Sequence, residues 1–249
     1  MKNFLIIANW KMQLSYNRSL VYTQEIAHAL AHEAHQAEIV ICPSYDALAG
    51  VKKIINNSSL YLGAQDCSAH AQGPYTGQIQ SQSLAEIGCS YCIVGHSEMR
   101  ALGQSNQEIV QKVNQLINVN IVPIICIGER TQSNNFLDEL QDQLFPLITL
   151  LKTVSYKTIA IAYEPVWAIG SGITPSKQHI EQVFSYILTC WRNGNLAGQP
   201  TLIYGGSVDD KNLQSITTIS NLSGLLVGGA SLDSQKFKKI VRSCIIDKQ

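Results

Sequence analysis

The chain has 249 residues, of which 45% are hydrophobic and 14% are charged, and its 18 basic residues balance its 18 acidic residues. This balance argues against nucleic acid as a partner, and the lack of any apolar run of roughly 18 to 20 residues argues against a membrane span. The first apolar run starts at Phe4, too early for a signal peptide, and seven scattered cysteines suggest buried free thiols, so we expect a cytoplasmic protein.

Short apolar runs typical of buried strands alternate with helical segments along the chain. The runs are Phe4 to Ala8, Glu38 to Cys42, Leu60 to Ala64, Tyr91 to Val94, Ile121 to Ile127, Thr158 to Tyr163, Thr201 to Tyr204 and Gly224 to Val227. Ser19 to Ala34 is an amphipathic helical segment, and Ser105 to Ile117 opens with a capping box. Strand–helix units repeated eight times in about 250 residues predict a single closed (β/α)8 TIM barrel, an α/β domain over residues 1–249.

A doubly wound open sheet is the competing architecture for such a pattern. Its dinucleotide-binding form would place a G-x-G-x-x-G turn directly after the first strand. This chain has Asn9-Trp10-Lys11 at that point. The barrel is therefore favoured.

Glu164 follows the apolar run Thr158 to Tyr163 and precedes Pro165, which cannot continue a strand ladder. A carboxylate at the end of a buried strand, with Trp167 close by, can be shielded from water and act as a general base. Taken alone, the segment could equally be a strand-ending Glu in a solvated turn.

The other predicted strand ends carry complementary groups. Asn9 and Lys11 follow the first strand, His96 and Glu98 the fourth, Gly205-Gly206-Ser207 the seventh and Gly228-Gly229 the eighth. In a barrel these ends meet on one face. His96 is a candidate proton donor, Lys11 a fixed cation, and the glycine pairs leave backbone N–H groups open to a phosphate. Together they predict proton transfer next to a carbonyl in a small phosphorylated sugar.

Six segments in chain order resemble the triosephosphate isomerase family, and the resemblance extends from Asn9 to about Lys238. They are Asn9-Trp10-Lys11-Met12, Gly95-His96-Ser97-Glu98, Cys126-Ile127-Gly128-Glu129, Tyr163 to Gly170, Tyr204-Gly205-Gly206-Ser207-Val208 and Leu226 to Leu232. The resemblance implies interconversion of dihydroxyacetone phosphate and D-glyceraldehyde 3-phosphate in glycolysis and gluconeogenesis, without cofactor or metal. A barrel isomerase acting on another small phosphorylated sugar is the alternative.

The resemblance also implies a role for each site residue. Glu164 would move the proton through an ene-diol(ate), and His96 would polarise the carbonyl and exchange protons with the oxygens. Lys11 would stabilise negative charge, Asn9 would orient the substrate and Glu98 would support the site beside Lys11. The phosphate would be held by the backbone at Gly170, Ser207, Gly228 and Gly229.

The resemblance implies a homodimer, and we expect it to form through the loop Gln72 to Gln78, with Thr76 reaching toward the partner's site. The sequence departs from the family pattern at two interface positions. Gln78 stands where the family has a glutamate, and Met99 stands where it has an arginine. The resemblance implies that these two form a salt bridge between subunits, so both halves of one ion pair are replaced together.

The exit of the active-site lid departs as well, since the chain reads Gly172-Ile173-Thr174-Pro175 there. Two alignments are open. Pro175 occupies a hinge position in one, and in the other Thr174 and Pro175 start the next helix. We favour the hinge position, because Ile180 and Val183 then keep the spacing of a helix packed on the barrel.

Overall fold

The computed structural model describes residues 4–33, 36–133, 135–169, 173–209 and 212–246. Parallel strands form a closed barrel in which each strand pairs with the next along the chain and the last pairs with the first. The strands are β1 Phe4–Asn9, β2 Ala37–Cys42, β3 Leu60–Ala64, β4 Tyr91–Val94, β5 Val122–Ile127, β6 Ala160–Tyr163, β7 Thr201–Tyr204 and β8 Gly224–Val227. The predicted (β/α)8 barrel is confirmed.

Helices follow the strands along the chain and pack around the barrel. In the described residues they are α1 Tyr16–Ala29, α2 Leu48–Ile55, α3 Ser81–Ile87, α4 Ser97–Ala101, α5 Asn106–Asn118, α6 Phe136–Leu151, α7 Lys177–Asn193, α8 Leu213–Thr217 and α9 Ser234–Ile246. Short 3-10 turns span Tyr45–Ala47, Val166–Ala168 and Gly229–Leu232. None of the helices in this part of the chain is both long and apolar enough to cross a bilayer.

Capping serines mark the starts of α1 and α5. The predicted start of the first helix at Ser19 is wrong, because Ser15 is the N-cap and its hydroxyl accepts a hydrogen bond from the Arg18 N–H. The helix ends at Ala29, well before the predicted Ala34, which lies outside the described residues. The predicted cap at Ser105 is confirmed, since its hydroxyl accepts from the Glu108 N–H.

The strands carry side chains alternately into the barrel and toward the helices. Leu5 and Ile7 of β1 belong to the inner cluster, whereas Ile6 and Ala8 belong to the larger cluster that includes helix residues. The inner cluster is completed by Val40, Cys42, Tyr91, Ile93, Ile124, Cys126, Ala160, Ala162, Ile203 and Leu226. Because both faces are buried, the strands read as nearly continuous apolar runs.

The start of α7 distinguishes between the two alignments of the lid exit. Helix α7 begins at Lys177, and the Ser176 hydroxyl caps it by accepting from the His179 N–H. Pro175 is buried and lies two residues before the helix, so it is not the first helical residue. The favoured alignment is therefore supported, although Gly170, Ser171 and Gly172 lie outside the described residues.

Free cysteines are distributed through the fold, as expected. Six of them are buried, and Cys190 is partly buried. Burial in apolar surroundings raises the pKa of the thiols of Cys42 and Cys126 well above the ordinary value.

Candidate active site at the barrel mouth

The alternation of side chains decides which residues reach the mouth of the barrel. Ile7 of β1 and Ala162 of β6 point inward, so Asn9 and Glu164, two residues further along, lie on the inner side where their strands end. A cavity of about 330 Å3 opens there. It is lined by the predicted residues Asn9, Lys11, His96, Glu164, Ser207, Gly228 and Gly229. Glu98 lies beside this cavity, and the predicted Gly170 lies outside the described residues.

The Glu164 carboxylate is only 2% exposed. Its Oε1 lies 3.1 Å from His96 Nε2, and its Oε2 accepts a hydrogen bond of 2.9 Å from the Ser97 N–H. The Glu164 N–H donates to the Ile127 carbonyl at 2.7 Å, so the base segment continues the pairing of β5 with β6. A buried carboxylate needs such partners to offset the water that it has lost.

The hydrogen bonds of His96 assign its protonation. Its Nδ1 accepts from the Glu98 N–H at 3.2 Å and thereby caps α4. The Glu98 carboxylate is farther away, with Oε2 at 3.6 Å from Nδ1. An Nδ1 that accepts carries no proton, so Nε2 carries it and can donate to Glu164. The ring is then a neutral donor that faces the cavity.

Lys11 brings a positive charge to the same cavity. Its Nζ donates to Glu98 Oε1 at 2.6 Å. Its backbone is left-handed, with φ +51°, a conformation that costs energy in a residue other than glycine. The Lys11 N–H donates to Asn9 Oδ1, and Gln65 Nε2 donates to the Lys11 carbonyl at 2.8 Å. Side chains on both sides of Lys11 thus hold its strained backbone in place.

The glycine at position 228 keeps space beside this cation. A Cβ there would lie 3.3 Å from Lys11 Cε. The following residues form the 3-10 turn Gly229–Leu232. Bare backbone at the strand end and a nearby ammonium group suit a phosphate.

Several residues that support the site were missed in the sequence. Gln65 follows β3 directly, so its position at a strand end was the available signal. Arg100 ties two strand ends together, because its Nε donates to the Gly95 carbonyl at 2.8 Å and Nη2 donates to the Cys126 carbonyl at 2.9 Å. Ser97 contributes only its backbone N–H, which no sequence pattern marks.

Glu129 was part of a quoted segment but had no assigned role. It is 0% exposed, and its Oε1 accepts from the Tyr163 hydroxyl at 2.8 Å and from the Trp167 indole N–H at 2.7 Å. Its backbone carbonyl accepts from the Val166 N–H at 3.0 Å. We call this arrangement of Glu129 with Tyr163, Val166 and Trp167 the Glu129 clamp. It holds the chain on both sides of Glu164.

Comparison with known proteins agrees with this geometry. The family described as Triosephosphate isomerase matches residues 4–244. The chain is 37% identical to the triosephosphate isomerase of Bordetella pertussis over 95% of each chain, and 38% identical to that of Streptomyces avermitilis over 96% of each. The crystal structure of triosephosphate isomerase from Bartonella henselae has a TM-score of 0.84 and 30% identity, and the match covers 99% of this chain and 100% of that one.

Proposed function

The chain belongs to the triosephosphate isomerase family and interconverts dihydroxyacetone phosphate and D-glyceraldehyde 3-phosphate, and we propose that Glu164 moves the proton between the two carbons. The observation that carries this proposal is the buried Glu164 carboxylate facing His96 Nε2 at the barrel mouth. A carboxylate removes the proton next to the carbonyl, and the C–H electrons form the double bond of an ene-diol(ate). His96 passes the hydroxyl proton from one oxygen to the other, and return of the carbon-bound proton by Glu164 to the neighbouring carbon gives the other isomer.

In the free protein the oxygens of Glu164 face His96 and Ser97. A base that takes a proton from carbon must aim a lone pair at that carbon, so the carboxylate exchanges these contacts for the substrate. This frees the Nε2–H of His96 for the carbonyl oxygen, where negative charge develops. His96 is therefore the electrophile.

Lys11 and Asn9 complete the charge distribution. The Lys11 ammonium adds a fixed positive charge that favours both the phosphorylated substrate and the ene-diolate. Glu98 keeps that ammonium in place through its contact of 2.6 Å. Asn9 lines the cavity and holds the Lys11 N–H, so it orients both the cation and the substrate. The backbone at Ser207, Gly228 and Gly229, together with Gly170, binds the phosphate.

Isotope incorporation tests the proposed proton transfer. When dihydroxyacetone phosphate is converted in D2O, D-glyceraldehyde 3-phosphate should carry deuterium at carbon 2, because a carboxylic acid exchanges its proton with solvent. Glu164→Gln should lose turnover and still bind a phosphorylated inhibitor. Product without deuterium, together with wild-type turnover in Glu164→Gln, would refute the role of Glu164.

A homodimer is also part of this proposal. Met12 is 94% exposed next to Lys11, and Leu102 is 80% exposed at the end of α4. A groove of about 400 Å3 near the loop Gln72 to Gln78 is lined by Tyr45 and Tyr75, both of which are exposed. Exposed apolar side chains of this size suit an interface with a second copy. Sedimentation of the purified protein tests this.

The cellular location and the domain organisation belong to the proposal as well. Free cysteines suit the reducing cytoplasm. Pairing of β1 with β8 joins the two ends of the barrel, which supports a single domain over residues 1–249. One cooperative unfolding transition, observed by two probes, is the expected result.

A further inference from the structure

His179 lies on α7, behind the base segment, and does not line the cavity at the barrel mouth. Its Nε2 is 3.1 Å from Glu129 Oε1 and 2.9 Å from the Tyr163 hydroxyl oxygen. The imidazole packs against Phe136, with ring centroids 4.5 Å apart. The ring is therefore held in place on one side by packing and on the other by polar contacts.

The hydrogen-bond inventory shows which atom carries the proton. The Tyr163 hydroxyl has one proton, which it donates to Glu129 Oε1. A carboxylate oxygen can only accept, so His179 Nε2 at 3.1 Å must carry a proton. That proton is directed at Glu129 Oε1 and at the oxygen of Tyr163. After Tyr163 and Trp167, His179 is thus the third hydrogen-bond donor to Glu129 Oε1.

A donor at this position matters because Glu129 is fully buried. Burial alone raises the pKa of a carboxyl, but the hydrogen bond from His179, followed by those from Trp167, the Glu129 backbone and Tyr163, outweighs this effect and lowers the pKa of Glu129. Glu129 Oε2 has no hydrogen-bond partner among the described residues, so the negative charge depends on the donors to Oε1. Removing one donor leaves a buried charge less well compensated.

The Glu129 clamp in turn sets the position of the catalytic base. Tyr163 precedes Glu164, and Trp167 and the Val166 N–H follow it, so Glu129 is bonded on both sides of the base. A displacement near 1 Å of a catalytic group can cost about 100-fold in rate. A looser Glu129 clamp should therefore displace Glu164 and slow the isomerisation, even though the change makes no contact with the substrate.

We propose that His179 is a positioning residue for the isomerisation, which acts by donating to Glu129 and so fixing the Glu129 clamp around Glu164. This inference rests on the proposed role of Glu164 as the base. It assigns to α7 a part in catalysis although His179 does not touch the substrate cavity.

The indole N–H signals of a 15N-tryptophan-labelled protein report on the clamp directly. The chain has three tryptophans, and the indole nitrogens of Trp10 and Trp191 have no hydrogen-bond partner in the described part of the chain. The indole proton of Trp167, bonded to Glu129, should be the furthest downfield, and Trp167→Phe assigns it. The other two signals serve as internal controls.

His179→Leu keeps the packing on Phe136 and removes the donor. We expect the Trp167 signal to move upfield, kcat to fall about 10-fold and KM to change less than about 2-fold. His179→Ala should behave in the same way and is the second variant if the leucine protein fails to fold. His179→Gln supplies an amide N–H of similar reach and should restore both the signal and kcat. Exposed His28 on α1 provides the matched control, His28→Leu, which should behave as wild type.

Unchanged kcat in His179→Leu and His179→Ala would overturn the inference, and so would a loss of kcat with an unmoved Trp167 signal. Glu164→Gln tests the base separately, because it should lose turnover and keep the Trp167 signal. Wild-type turnover in Glu164→Gln would refute the role of Glu164 as the base, whereas the effect of His179 on the Trp167 signal would remain.

Discussion

Gly128 lies directly against the backbone of Glu164. A Cβ built on Gly128 would lie 1.7 Å from the Glu164 carbonyl oxygen, far inside any permitted contact. Glycine at the end of β5 therefore allows the segment that carries the base to pass close to the neighbouring strand. Any other residue must force the backbones of Gly128 and Glu164 apart and so shift the segment that carries the base.

We predict that Gly128→Ala destabilises the protein by about 3 kcal/mol, because the clash involves backbone that cannot rotate away. The displaced base should lower kcat on the order of 100-fold. Urea unfolding and a coupled assay measure the two effects. Gly229→Ala is the matched control for stability, since a Cβ at Gly229 meets nothing within 4 Å. Equal stability of the two variants would contradict the predicted clash.

Shortening the base is the second prediction. Glu164→Asp retracts the carboxylate by about one methylene, and we expect kcat to fall on the order of 100-fold while KM changes little. The reason is that the carboxylate must reach a carbon-bound proton, whereas the phosphate is bound by other groups. Steady-state kinetics in both directions provide the measurement. Exposed Glu86 on α3 offers the control Glu86→Asp, which should match wild type.

Acid stability should depend on Glu129. Although burial acts to raise the pKa of this carboxyl, the hydrogen bonds from His179, Trp167 and Tyr163 lower it below the ordinary value of 4.5. As the pH falls below about 4.5 the unfolded chain binds the proton first, so the stabilisation present above that pH is lost toward the folded-state pKa.

We therefore predict that Glu129→Gln loses less stability than wild type between about pH 5.5 and pH 3.5. Urea midpoints at several pH values give the slope for each protein. Glu129→Gln should keep part of the pH dependence, because Glu33 also has a lowered pKa, in which the hydrogen bond from Arg242 overcomes the effect of burial. Identical slopes would show that Glu129 does not titrate in this range.

The altered interface leads to a prediction about salt. Gln78 Oε1 accepts a hydrogen bond of 2.6 Å from the Ser68 hydroxyl of its own chain, and Met99 is uncharged. With no ion pair between these two positions, dimer dissociation should depend only weakly on ionic strength. Sedimentation at low and high salt measures this. A steep loss of dimer at high salt would indicate that another ion pair has replaced the missing one.

Predictions from the sequence succeeded where neighbours in the chain decide the structure. The strands were predicted to within two residues at each end, since a buried parallel strand is a continuous apolar run. The first helix was placed too late because Ser15, its cap, stands ahead of the apolar stripe that was used to find it. Asn9, Lys11, His96 and Glu164 were found because each lies at a strand end or just after one, and the barrel brings strand ends together.

By itself, then, the sequence determined the barrel, its order of strands and the residues at the mouth, because alternation along a strand and the chemistry of a strand end are local properties. Only the tertiary structure decided that Glu129 holds Tyr163 and Trp167 and is held by His179. These partners are 34, 38 and 50 residues from Glu129. Their contacts depend on the register at which the barrel closes and on the direction of each side chain across neighbouring elements, and neither is written in a local pattern.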